Sequence, residues 1–300
     1  TGCITKGHEQ KEITDMYDMH INGAVAFTDD KKSIPNSMLM NIALEYVKNF
    51  NGLIMISCID QDINKYGQIN EGEKSIEMGL SPSPDIAEKL MVTRDINLLK
   101  YTNSKLHIST ISSKDSIKSI KKAKRNKLKI STDVAAHQLI LNENSIKDFD
   151  SNLKVLPPLR DEKTRISLIN SIIDGTIDAI SSDHTPIEIE GKKCEFQKAE
   201  FGIIGLETVF PIINTILKDQ LELTKIIELI SSKPRKILNQ PCPKIDINEK
   251  ANITLFNPSE EWTYTKDMIV SKSKNTPFID QKFTGKVLGV INNSKILLND

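Results

Sequence analysis

Ile177-Asp178-Ala179-Ile180-Ser181-Ser182-Asp183-His184-Thr185-Pro186 is the stretch on which the fold turns. A short apolar run ends abruptly in small and polar residues, as a buried strand does when it reaches a site. Earlier runs have the same form: Ala24-Val25-Ala26-Phe27, Leu53-Ile54-Met55-Ile56, Leu106 to Ile111 and Leu128 to Val134. Between them lie helical patterns. Ser37 to Phe50 carries Leu39, Ala43, Tyr46 and Val47 at helical spacing, and Pro84 to Tyr101 carries Ile86, Leu90, Ile96 and Leu99. Ser116 to Asn126 sets Ile117, Ile120 and Ala123 on one face, so its lysines read as a solvated outer face and not as a binding patch. Strands alternating with helices imply parallel βα units.

The pattern changes past Asp183. Thr208 to Lys218 and Leu223 to Leu238 read as helices, and short strands follow at Asn252 to Phe256, Lys286 to Ile291 and Lys295 to Leu298. The expected class is α/β, a parallel α/β barrel with a small C-terminal β appendage. About six barrel strands are expected, with starts near Thr1, Ala24, Leu53, Leu106, Leu128 and Ile177. We divide the chain into a barrel over 1–245 and an appendage over 246–300.

Composition narrows the partners. Forty basic residues balance forty acidic ones, which gives no electrostatic pull toward nucleic acid or a membrane surface. Cys3, Cys58, Cys194 and Cys242 form no CxxC pair, so neither a zinc ribbon nor a disulfide framework is expected, and a reducing cytoplasm suits the chain.

In a parallel barrel, chemistry sits where strands end. Asp183-His184 closes the last run and can serve as metal ligand and proton acceptor, or as a cap for the following turn. Thr28-Asp29-Asp30 closes an earlier run and offers paired carboxylates, or an ordinary turn. His107 and His137 lie at apolar runs, where a lone histidine is more often a hydrogen-bonded core residue than a ligand. His8 and His20 read as surface residues. The sequence has no HxH, HxxxH or HxxE pair, no nucleophile elbow and no glycine-rich phosphate loop.

Several stretches together resemble the dihydroorotases of the multifunctional-complex type, within the amidohydrolase superfamily. They are Gly23 to Asp30, Val155-Leu156-Pro157-Pro158-Leu159-Arg160, Asp174-Gly175-Thr176-Ile177-Asp178, Ser182 to Pro186, Gly202 to Thr208 and Ser271 to Phe278. Order and spacing agree along the whole chain. The resemblance implies a (β/α)8 TIM barrel, incomplete in this chain, with a composite β-sandwich. It also implies zinc as cofactor and the reversible conversion of N-carbamoyl-L-aspartate to L-dihydroorotate in pyrimidine biosynthesis.

Residue by residue, the resemblance is uneven. Asp183 matches the family's metal-binding general base and Asp30 an acidic metal ligand. Ser57 stands where the histidine of an H-x-E-D motif belongs, and Thr110 where the second histidine of H-x-x-H-x-S-T belongs. Leu156 replaces an asparagine and Ile187 a histidine, both substrate contacts in the family. The first two barrel strands, with the HxH motif, are expected upstream of Thr1. Hydroxyls are poor zinc ligands beside imidazoles. The substitutions therefore favour a catalytically impaired or silent homologue, a structural or regulatory partner for aspartate transcarbamoylase or an active dihydroorotase, with an oligomer allowed. The alternative is an active zinc-dependent dihydroorotase whose site is completed by upstream residues.

Overall fold

The computed structural model describes residues 1–298. Its frame is a parallel ladder. Gly2 bridges Phe27, and Phe27 bridges Ile54. From there Ile54–Ser57 pairs with Leu106–Ser109, which pairs with Ile130–Ala135, which pairs with Ala179–Ser181. Six parallel segments thus follow chain order, at the six expected places, in an arc that is part of a barrel. A single parallel bridge, His184 to Ile203, extends it. The first two segments are bridges and not full strands. Their alignment is fixed instead by Asp29, whose carboxylate accepts the Ile4 and Thr5 amides (2.9 and 3.0 Å) and the Thr5 hydroxyl.

The helices cover the outer face of the ladder. Ser37–Lys48 starts on Asn36, whose side chain accepts the Met38 and Leu39 amides, and it buries Leu39, Met40, Ala43, Leu44 and Val47. Lys114–Arg125 starts on Ser113 and buries Ile117, Ile120 and Ala123, as its stripe requires. Glu162–Ile173 starts on Asp161, which accepts the Thr164 amide. The sequence reading does not single out this helix, although the Asp-x-x-Thr cap was available as a signal.

Two expectations change. Asp85–Thr102 is helical, but only half of the expected stripe turns inward: Leu99 is buried and Ile96 packs partly buried on the core, Ile86 and Leu90 are exposed, and Ala87, Glu88, Met91, Val92 and Asp95 are buried as well. Two carboxylates are accommodated because each has a cation and donors: Glu88 accepts from Ser112 and Ser113 within the field of buried Arg160, and Asp95 pairs with half-buried Arg94. The expected Leu223 to Leu238 helix is two, Leu223–Ile230 and Ser232–Ile237, broken at Ser231 (φ −125°, ψ −79°). Pro234 has no amide hydrogen to continue the earlier helix and sits in the first turn of the next.

The chain ends in an antiparallel sheet, Ile253–Thr263 with Lys282–Asn292 and then Lys295–Leu298. Helix Val209–Leu217 joins it to the barrel. Asn214 Nδ2 donates to the Pro258 and Thr284 carbonyls, both at 2.9 Å, and Phe210 meets Phe256 edge-on at 4.9 Å between ring centroids.

Candidate active site

At the carboxyl ends of the parallel strands Lys31 and Leu156 line a hollow, and Asp133 is the foundation of the strand ends beside it. This residue sits on the strand Ile130–Ala135, where its carboxylate reaches both neighbouring strands. Oδ2 accepts from His107 Nε2 at 2.8 Å; Oδ1 accepts from the Thr110 amide at 3.1 Å and from Ser181 Oγ at 2.7 Å. Burial alone would raise this carboxyl, but the bonds from His107, Ser181 and Thr110 outweigh it and hold the acid below its usual range. His107 Nδ1 faces Ser131 Oγ at 2.8 Å, so the ring is a fully bonded core histidine, as expected.

Above Asp133 lies Asp183, in the left-handed region at φ 46°. Its side chain is 10% exposed, and it forms an ion pair with the Lys31 ammonium. Lys31 Nζ also donates to the Leu156 carbonyl at 3.0 Å. Burial pushes the Asp183 carboxyl up, Lys31 pulls it down, and the negative charges of Asp133 and Asp30 push it up again; the net direction is upward. Asp30 is therefore electrostatically coupled to Asp183, but it is exposed, with its own backbone turned to φ 57° and its amide on Thr28 Oγ1. Of the Asp29-Asp30 pair only Asp30 belongs to the mouth; Asp29 is spent on the first strand segment.

Ser57 and Thr110 are buried at their strand ends, and neither hydroxyl has a protein partner. Thr110 takes a left-handed backbone, φ 51°, with its amide on Asp133. His137 departs from expectation. It is buried, yet neither ring nitrogen has a protein partner. Burial, with the Lys31 charge adding to it, drives its pKa down to about 3, so the imidazole is neutral. Leu156 offers the hollow a carbonyl, not a side-chain amide. Ile187 turns to the C-terminal segment, its amide on Asn275 Oδ1 at 3.1 Å. His184 Nδ1 accepts the Gly205 amide at 3.1 Å, so this ring tethers a loop and offers the mouth no lone pair from that nitrogen.

The donor chemistry does not suit zinc. The unpartnered Ser57 and Thr110 side chains offer hydroxyls, which are poor zinc ligands beside imidazole; Asp183 is already paired with an ammonium, and buried Asp133 is held by three hydrogen bonds. Among the described residues no group of three or more His, Cys, Asp or Glu side chains could hold a metal. Lys31 and Asp133, which organise the hollow, are not singled out by the sequence reading. Lys31 was within reach of it, since it directly follows Asp30 at a strand end.

Residues 2–116 match the family described as Dihydro-orotase-like. A dihydroorotase of Caldicellulosiruptor saccharolyticus is 38% identical across the full length of this chain, which spans 70% of that protein. The chain belongs to the dihydroorotase family. A second dihydroorotase, from Carboxydothermus hydrogenoformans, is 35% identical over 95% of the chain and 67% of its own length. Among solved structures, dihydropyrimidinase from Brevibacillus agri superposes with a TM-score of 0.82 at 17% identity, over 93% of this chain and 65% of that one. L-Hydantoinase from Arthrobacter aurescens gives 0.82 at 20% identity, over 95% and 67%. These likenesses show the fold, that of amidohydrolase barrels. This dihydroorotase homologue thus shares the barrel frame of those proteins.

Proposed function

We propose that this chain is a dihydroorotase homologue of cytoplasmic pyrimidine biosynthesis whose strand-end site does not interconvert N-carbamoyl-L-aspartate and L-dihydroorotate. The single observation that carries the reading is the donor set of the hollow. Asp183 is paired with Lys31, and Ser57 and Thr110 present hydroxyls in place of nitrogen ligands. Asp30 and Asp183 are the residual acidic positions, and Leu156 and Ile187 stand where substrate contacts have gone. Its role is then to bind and position, as structural or regulatory partner to aspartate transcarbamoylase or to an active dihydroorotase. The barrel over 1–245 and the appendage over 246–300 are the units it would present.

One observation favours the other reading, an active zinc-dependent dihydroorotase: the 38% identity to a protein that carries that name. The test separates them. Purified full-length protein is assayed for dihydroorotate interconversion in both directions, with zinc measured by elemental analysis. We expect no turnover and substoichiometric zinc. Stoichiometric zinc together with turnover that Asp183→Ala abolishes would refute the proposal.

A further inference from the structure

Lys31 leaves the loop that follows the second parallel segment and brings its ammonium to the Asp183 carboxylate and the Leu156 carbonyl. Its side chain is 29% exposed, so the charge is held at the mouth and not in open water. Three buried polar groups lie at the same strand ends with no protein partner: Ser57 Oγ, Thr110 Oγ1 and the His137 imidazole. His137 is close enough to feel the Lys31 charge. A divalent ion that used Asp183 would have to take the carboxylate from Lys31 and then lie beside that positive charge. Both penalties fall on the same carboxylate, so metal and ammonium compete for it.

We infer that Lys31 is the resident cation of the strand-end hollow, and that its ammonium by itself excludes a divalent metal from Asp183. The inference rests on the reading of a metal-poor hollow given above, and it adds a separate cause. Restoring imidazoles at positions 57 and 110 would not suffice while Lys31 remains. Removing the lysine would open the carboxylate to an ion even before the imidazoles are restored.

The experiment compares two pairs of full-length proteins by titration with cobalt(II), read by calorimetry and by the visible absorption of the bound ion. The first pair is the unaltered protein and Lys31→Gly. The second is Ser57→His/Thr110→His with and without Lys31→Gly. In each pair the member lacking Lys31 should bind cobalt(II) more tightly, by a factor on the order of 5–150, the range over which two linked binding events commonly couple. Adding Asp183→Asn should abolish the gain. Equal affinity within both pairs, including no binding by any member, overturns the inference. If the histidine variants fail to fold, the first pair decides.

A readout on the unaltered protein stands beside these. Limited acetylation followed by mass spectrometry should modify Lys31 several-fold more slowly than its exposed neighbour Lys32, and Asp183→Asn should remove that difference. Equal rates in the unaltered protein overturn the inference. Turnover in the dihydroorotate assay would refute the functional proposal whatever Lys31 does. Metal binding that is indifferent to Lys31 would refute only the present inference.

Discussion

Asp133→Ala is the substitution that most directly tests how the strand ends are held. The carboxylate joins three adjacent parallel strands through His107 Nε2 (2.8 Å), the Thr110 amide (3.1 Å) and Ser181 Oγ (2.7 Å). Alanine would leave three donors without this acceptor. Each orphaned buried donor costs about 1–3 kcal/mol, and partial relaxation makes the sum roughly 3–6 kcal/mol. For a chain of this length, at roughly 2 °C per kcal/mol, the melting temperature should fall by roughly 6–12 °C. Asp133→Asn should cost far less. Its oxygen can keep the Thr110 and Ser181 bonds, and its amide can donate to His107 Nε2 if that ring moves its proton to Nδ1 and donates to Ser131 Oγ. Thermal and urea unfolding followed by circular dichroism gives both numbers. Hydrogen exchange at the Thr110 amide should quicken in the alanine variant alone. If the two variants melt together, or if Asp133→Ala melts with the unaltered protein, the carboxylate is not the staple described here.

Two buried groups predict opposing pH dependences. Burial raises Asp95, against the pull of Arg94, from its ordinary 3.8 to about 6. The native state therefore binds the extra proton between those values, and about 3 kcal/mol of stability is lost as pH rises through that window. His137 acts oppositely. Its native pKa of about 3 lies below its ordinary 6.5, so its contribution is full above 6.5 and lost as pH falls toward 3. The size is on the order of 5 kcal/mol. Denaturation midpoints between pH 4 and 7 should thus rise more steeply with pH in Asp95→Asn than in the unaltered protein, and flatten in His137→Leu; unchanged slopes refute both assignments. At pH 7, His137→Leu should be neutral or stabilising by about 1 kcal/mol, because it removes a buried imidazole with no protein partner; a loss of more than about 2 kcal/mol would show that the ring is satisfied after all. Asp29→Ala should release Ile4 and Thr5, destabilise the chain by roughly 2–4 kcal/mol and free those two amides to exchange early; protection that persists would place the anchor elsewhere.

What the sequence makes legible follows from the range of the interaction. The parallel segments at Ala24, Leu53, Leu106, Leu128 and Ile177 are local apolar runs, and each appears where it is expected. The stripe of Lys114–Arg125 is likewise local, since its apolar residues recur at helical spacing. Strand ends also mark themselves, which is why Asp183 and Asp30 could be named in advance, whereas Ser57 and Thr110 are named only by the family resemblance. Pairs across the fold are another matter. Lys31 and Asp183 lie 152 residues apart, and nothing in the neighbourhood of either declares the other. The helix Asp85–Thr102 shows the same limit from the other side. Glu88 and Asp95 lie off the expected apolar stripe, and they turn inward because Arg94 and, from elsewhere in the chain, Arg160 with the Ser112 and Ser113 amides supply partners. Ser231 misleads for a local reason: the hydrophobic spacing runs on past it, while the backbone does not.

Three carboxylates gather at the strand ends, and each has a separate compensation. Asp133 is answered by three hydrogen-bond donors from neighbouring strands. Asp183, nearly buried, is answered by the Lys31 ammonium. Asp30 stays exposed, where water suffices. A metal centre solves the same problem collectively, since one divalent ion can balance several acids at once, and removing it leaves all of them unpaired. Here the solution is distributed, so the loss of one partner should disturb one acid. Stability should therefore be insensitive to chelators while remaining sensitive to Lys31, because breaking a largely buried ion pair strands its remaining charge. A melting temperature that falls on chelation and recovers on adding zinc would contradict that arrangement.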